Sequence, residues 1–132
     1  MAAEESRYPL DWLRVAEKDL ARVEHLLALE DAEAAGFYLQ QTVEKHLKAF
    51  LLARGWRLQR IHDLEALLNA ALEHDATIEP FRSACQVIAG FYLVHRYPFL
   101  GDTGLTSDDV QRTLEEVKPL LAQFSDAIRQ SP

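Results

Sequence analysis

The run Ala35-Gly36-Phe37-Tyr38-Leu39-Gln40-Gln41-Thr42-Val43-Glu44-Lys45-His46-Leu47-Lys48-Ala49-Phe50-Leu51 decides the fold. Ala35, Leu39, Val43, Leu47, Phe50 and Leu51 recur mostly three or four positions apart, which lines them along one face of an α-helix. Asp31 stands where an N-cap belongs, Glu33 puts a carboxylate in the first turn, and Gly55 is a natural C-terminal stop. Outward from this run the same period holds almost everywhere. Upstream, Leu13, Ala16, Leu20, Val23 and Leu27 form a stripe on a helix from about Pro9 to Glu30. Downstream, Asp63 reads as the cap of a third helix carrying Leu64, Leu67, Leu68 and Leu72. Pro80 suits the first turn of a fourth helix with Phe81, Ala84, Cys85, Ile88 and Tyr92, which should end before Pro98. Ser107 reads as the cap of a fifth, whose stripe is Val110, Leu114, Val117, Leu121, Phe124 and Ile128. Pro119 lies inside that last helix and is expected to kink or split it. No segment alternates with period two, and neither a repeat nor a linker is visible. The expectation is an all-α, up-and-down antiparallel helical bundle of about five helices, with one domain over residues 10–129 behind a tail of residues 1–9.

Composition narrows the function classes. A chain of 132 residues can bury a core without disulfides or metal. Its 14 basic and 21 acidic side chains give a net charge of −7, which works against nonspecific binding of nucleic acid or anionic membrane by the protein as a whole. No stretch approaches the roughly eighteen uninterrupted apolar residues of a membrane span, so no membrane association is expected. The N-terminal segment is acidic and lacks the apolar centre of a signal peptide, and the lone Cys85 suits a reducing compartment, so the expected location is cytoplasmic.

The usual catalytic motifs are missing. His25, His46, His62, His74 and His95 are scattered, with no HExxH and no cysteine pair, so neither a metal site nor a cofactor is expected. No G-x-S-x-G elbow or glycine-rich phosphate loop occurs, and Cys85 lies on an apolar stripe where a core thiol belongs. One local anomaly remains. Lys45, Lys48, Arg54, Arg57 and Arg60 fall in a stretch without a carboxylate, which leaves 9 basic against all 21 acidic side chains elsewhere. Such a stretch can form an anion site, with arginine forks on phosphate and Trp56 stacking on a base. It also reads as an ordinary positive helix C-terminus. Arg57 and His62 have an R-x4-H spacing that could hold a phosphodiester and supply an acid or base, although about one such match is expected by chance here. Alternatively, His62 hydrogen-bonds the start of helix three or the end of helix two and fixes the loop between them. Arg96 and Tyr97 close the fourth helix beside Pro98, where they could contact a ligand or simply cap and cover the helix end. The candidate set is therefore Lys45, Lys48, Arg57, Arg96 and Tyr97 for nucleotide or phosphate binding, with Arg57 and His62 as the candidate catalytic pair.

Several segments resemble a known family. They are Asp11-Trp12 and Lys18-Asp19-Leu20 in the first helix, and Phe37-Tyr38-Leu39-Gln40-Gln41 with Glu44-Lys45-His46-Leu47-Lys48-Ala49 in the second. His62-Asp63-Leu64 with Leu67 opens the third, and Arg96-Tyr97-Pro98 ends the fourth. In order and spacing the chain resembles a HEPN domain, a helical module named for higher eukaryotes and prokaryotes and for nucleotide binding. The resemblance implies a homodimer that binds a nucleotide or nucleic-acid phosphate. It also implies partnership with a small nucleotidyltransferase in a two-component system of toxin–antitoxin type. Many members are metal-independent ribonucleases that use R-x4-6-H. Arg96 departs from that pattern, because the positions a histidine would occupy hold Gly101, Asp102 and Thr103. A non-catalytic binding module is therefore expected, with an endoribonuclease toxin as the alternative.

Overall fold

The computed structural model describes residues 6–96 and 104–130, with His95 and Arg96 described in backbone only. Five α-helices, α1 Pro9–Ala28, α2 Ala32–Ala53, α3 Leu64–Leu72, α4 Arg82–Arg96 and α5 Ser107–Arg129, form an all-α bundle, and no strand occurs among the described residues. A 3-10 turn, Ala76–Phe81, leads into α4, so Pro80 sits in that turn and not in the first turn of α4.

Helix α2 is the axis of the molecule and packs against α1, α3, α4 and α5. The expected stripe from Ala35 to Leu51 is fully buried, and Phe50 meets Phe124 of α5 with ring centroids 4.8 Å apart. Gln40, Thr42, Glu44, His46 and Lys48 are buried as well. A helix surrounded on nearly all sides has no wet face, and this is what the one-stripe reading of α2 missed. Enclosure disfavours the charged form of the His46 ring. Burial pushes its pKa below the ordinary value, only partly offset by the hydrogen bond that Nδ1–H donates to the Thr42 carbonyl at 2.8 Å and by Glu17 nearby.

Both ends of α2 are made by local chemistry. Helix α1 stops at a Schellman turn, in which Glu30 takes φ 57° and the Asp31 and Glu30 amides bond the Leu26 and Leu27 carbonyls. Asp31 then caps α2 by accepting from the Ala34 amide. At the other end Gly55 takes φ 89°, and the Trp56 and Gly55 amides close on Leu51 and Leu52 in a second Schellman turn. Past that turn Arg57 is exposed, while Trp56 stays partly buried against the core. Gly36 sets the approach of α4, because a Cβ there would stand 3.0 Å from the Phe91 Cβ.

Two local expectations are corrected in α5. Its cap is Thr106, not Ser107, and it forms a full capping box with Asp109, which Ser107 cannot reproduce because it already lies inside the helix. Pro119 does not split the helix, which runs unbroken from Ser107 to Arg129. Pro119 is on the exposed face, where water can serve the carbonyl deprived of its donor.

Candidate functional site

Two clefts flank the segment that links α2 to α3. The first, of about 570 Å³, lies between α2, the head of α3 and α4, and its floor is Gln40, Gln41 and Glu44. Gln40, Glu44 and Lys48 are one helical turn apart, so on a buried stretch of α2 they must satisfy one another. Gln40 Nε2 donates to Glu44 Oε1 at 3.1 Å, and Lys48 Nζ donates to Oε2 at 3.0 Å. Both charged side chains are almost completely buried, and the Lys48 ammonium also lies 5.3 Å from the Trp12 ring centre. His62 reaches in from the linking segment, donating from Nδ1 to Glu44 Oε2 at 3.0 Å. Its ring stays 70% exposed, with Nε2 left as the second nitrogen of the dyad. Two rings complete the lining: Phe37 of α2 and Tyr92 of α4 stack with centroids 5.9 Å apart.

The second cleft, of about 670 Å³, is lined by Arg7, Arg57 and Arg60 around Trp56, with Leu52, Gly55 and Leu58 completing it. It is cationic, and Arg57 makes no ion pair among the described residues.

The basic stretch read from the sequence thus divides in two. Lys45 and Lys48 turn toward the interior: Lys45 Nζ pairs at 2.7 Å with Asp19, a buried α1 carboxylate that Arg22 also contacts, and Lys48 pairs with Glu44. Of the three residues expected to bind phosphate whose side chains are described, Lys45, Lys48 and Arg57, only Arg57 lines the cationic cleft. Arg96 ends α4 with its side chain outside the described set, and Tyr97 lies outside the described residues. Arg57 and His62 line different clefts despite their R-x4-H spacing. The bond of His62 runs to the middle of α2 and not to either helix end. Sequence reasoning missed Glu44, Gln40 and Arg7. The i, i+4 spacing of Gln40, Glu44 and Lys48 was the available signal for the first two, and Arg7 gave none. Among the described residues no group of acidic, histidine or cysteine side chains is arranged to hold a metal. Burial raises the Cys85 thiol to about 11, which leaves it an unreactive core group.

The polar positions that carry the sequence resemblance are one another's partners here. Asp19 meets Lys45, Trp12 meets Lys48, Glu44 meets His62, and Asp63 caps α3 through the Glu65 amide. The family model for the HEPN domain matches residues 10–126.

The chain belongs to the HEPN domain family.

The crystal structure of TT1696 from Thermus thermophilus is similar to this HEPN domain, with a TM-score of 0.78 at 29% sequence identity, covering 89% of this chain and 96% of that one. No curated protein matches the sequence. The HEPN signature in this chain is thus largely a set of buried or half-buried ion pairs and caps that tie α1, α2 and the α2–α3 segment together.

The central pair can be tested directly. Glu44→Ala leaves the Lys48 ammonium buried without a counter-charge and should cost about 3–5 kcal/mol. Replacing both at once, Glu44→Leu with Lys48→Met, should cost less than the single change, because no uncompensated charge remains. Urea denaturation of the two variants checks this. A Glu44→Ala protein within about 1 kcal/mol of wild type would refute the assignment of Glu44 as the hub.

Proposed function

We propose that this HEPN domain is a non-catalytic module that binds the phosphate of a nucleotide or nucleic acid. The observation that carries this reading is the cationic cleft, in which Arg7, Arg57 and Arg60 gather around Trp56 in a chain of net charge −7. Guanidinium groups grip phosphate oxygens with paired N–H donors, and an indole offers a surface on which a base can stack. The polar residues of the signature favour a non-catalytic module, since their side chains are engaged in holding the bundle together. Calorimetry with ATP at low and high salt tests the site. Affinity should fall with salt, and Arg7→Ala combined with Arg57→Ala should weaken binding about tenfold or more. Equal affinity in wild type and double variant would eliminate this cleft as the phosphate site.

The reading extends to a homodimer and to a small nucleotidyltransferase as partner in a toxin–antitoxin type pair. Val87 on α4, 51% exposed, supports self-association, because an apolar side chain at the surface gains by being covered. Light scattering should give twice the 15.0 kDa chain mass. A monomer at micromolar concentration would remove this part of the proposal.

A second reading, the endoribonuclease, draws on one observation. The Glu44 carboxylate fixes His62 through Nδ1 and leaves Nε2 as the outer nitrogen, the arrangement of an acid–base histidine. Incubation with structured and unstructured RNA decides between them. The binding-module reading expects no cleavage by the wild type, and a His62→Ala cost on the order of 1 kcal/mol, moderated by the exposure of the ring. Cleavage abolished by His62→Ala at an unchanged melting temperature would establish the ribonuclease instead.

A further inference from the structure

The 570 Å³ cleft has the opposite character to the cationic one, and the two share no lining residue. Among the described residues its lining contains two carboxylates, Glu44 and Asp63, two amides, Gln40 and Gln41, and no lysine or arginine. Lys48 balances Glu44, so among the described residues Asp63 is the uncompensated charge of this wall, and a carboxylate without a counter-ion disfavours phosphate and suits a donor-rich cation. Two of these groups, Glu44 and Gln40, are 3% exposed, so the floor is held in place by packing and is not a mobile surface cluster.

The hydrogen-bond inventory says what is left over. Gln40 Oε1 already accepts from Gln41 Nε2, and Asp63 Oδ1 accepts from the Glu65 amide. Among the described residues, Gln41 Oε1, Asp63 Oδ2 and the Tyr92 hydroxyl have no partner, and His62 Nε2 is a further acceptor in the neutral ring. The spare acceptors include the only uncompensated carboxylate of the described lining, while the spare donors are the second N–H of Gln40 and of Gln41 and the Tyr92 hydroxyl. Beside these groups stands the ring surface of Phe37 and Tyr92. Acceptors around an aromatic face match a flat cation whose N–H donors lie in its plane, and a guanidinium stacks on rings as an ammonium cannot.

We propose that the Glu44 cleft receives the side chain of an arginine presented by a partner protein. The guanidinium donates to Asp63 and Gln41 and lies against the Tyr92 ring, while its methylene stem runs along Leu64, Ala89 and Leu93. The cleft is larger than one guanidinium needs, and the half-exposed Leu93 on its rim gives a flanking residue of the partner an apolar surface. This inference is independent of the phosphate site, since Arg57 and its neighbours take no part in it.

The test is a titration of the full chain followed by ¹H–¹⁵N nuclear magnetic resonance. The probes are acetyl-Ala-Arg-Ala-amide, the same peptide with lysine in place of arginine, agmatine and AMP. The arginine peptide should bind saturably, with shifts centred on the Gln41 side-chain amide and the backbone amides of His62, Asp63 and Leu93. It should bind at least as tightly as agmatine and about tenfold more tightly than the lysine peptide. Asp63→Asn keeps an N-cap for α3, and it should weaken arginine-peptide binding about tenfold at an unchanged melting temperature. The proposal is overturned if the lysine peptide binds equally well, if agmatine binds and the peptide does not, or if AMP displaces the peptide from these resonances. Absence of any saturable shift also overturns it. Loss of ATP binding in the Arg7/Arg57 double variant, with peptide binding retained, would separate the two sites.

Discussion

The salt bridge between Glu44 and Lys48 inside α2 is the constraint around which the rest of the structure is organised. Two charges almost fully withdrawn from water carry a desolvation cost that their mutual attraction offsets only if their remaining hydrogen-bonding capacity is also met. Each additional partner comes from a different part of the chain. Gln40 supplies a donor from one turn earlier, His62 from the α2–α3 segment, and Trp12 brings its ring from α1 to the ammonium. Satisfying one pair therefore fixes three elements at once. Asp19 repeats the device one face over, holding Lys45 of α2 and Arg22 of its own helix. Hydrophobic burial alone would let α1 and α2 slide along each other by a turn at modest cost. Charge pairs that must meet atom to atom give the bundle its register.

The same constraint divides the basic stretch. Within a helix that is enclosed on nearly every side, a lysine can survive only beside a carboxylate, so Lys45 and Lys48 each lie against one. Past the Schellman turn at Gly55 the backbone leaves the bundle, and Arg57 and Arg60 are exposed. A single run of like charges in the sequence becomes two structural populations, and the boundary between them is the end of α2.

How much of this was legible follows from where each side chain sits. The five helices came through because each has at least one apolar face at regular spacing, and Asp31 and Asp63 announced two helix starts by the chemistry of their side chains. Thr106 and Ser107 are both acceptable caps, and the choice between them rests on the backbone reaching Asp109. Pro119 does not interrupt α5, because on the exposed face water can serve the carbonyl it leaves without a donor. The site was harder to read than the fold. Asp19, Glu44 and Lys48 look like solvated helix positions until it is known that α1, α3, α4 and α5 all pack on α2. Arg7 joins Arg57 and Arg60 only through folding, from a position about fifty residues earlier in the chain.

The segment between α2 and α3 is where these threads meet. It carries Arg57 and Arg60 into one cleft and His62 and Asp63 into the other, so one short segment contributes to the lining of both. Asp63 anchors its far end as the cap of α3, and Gly55 sets its near end. Between these points the bond from His62 to Glu44 ties it to the middle of α2, and that bond is open to water on the histidine side. A ligand that draws Arg57 outward shifts a backbone whose other end presents His62 and Asp63, and a group that settles against Asp63 acts on the same backbone from the opposite side. Coupling between two sites needs a shared element with more than one arrangement. A short irregular segment tied down through a water-exposed histidine meets that requirement far better than the close-packed helices on either side of it.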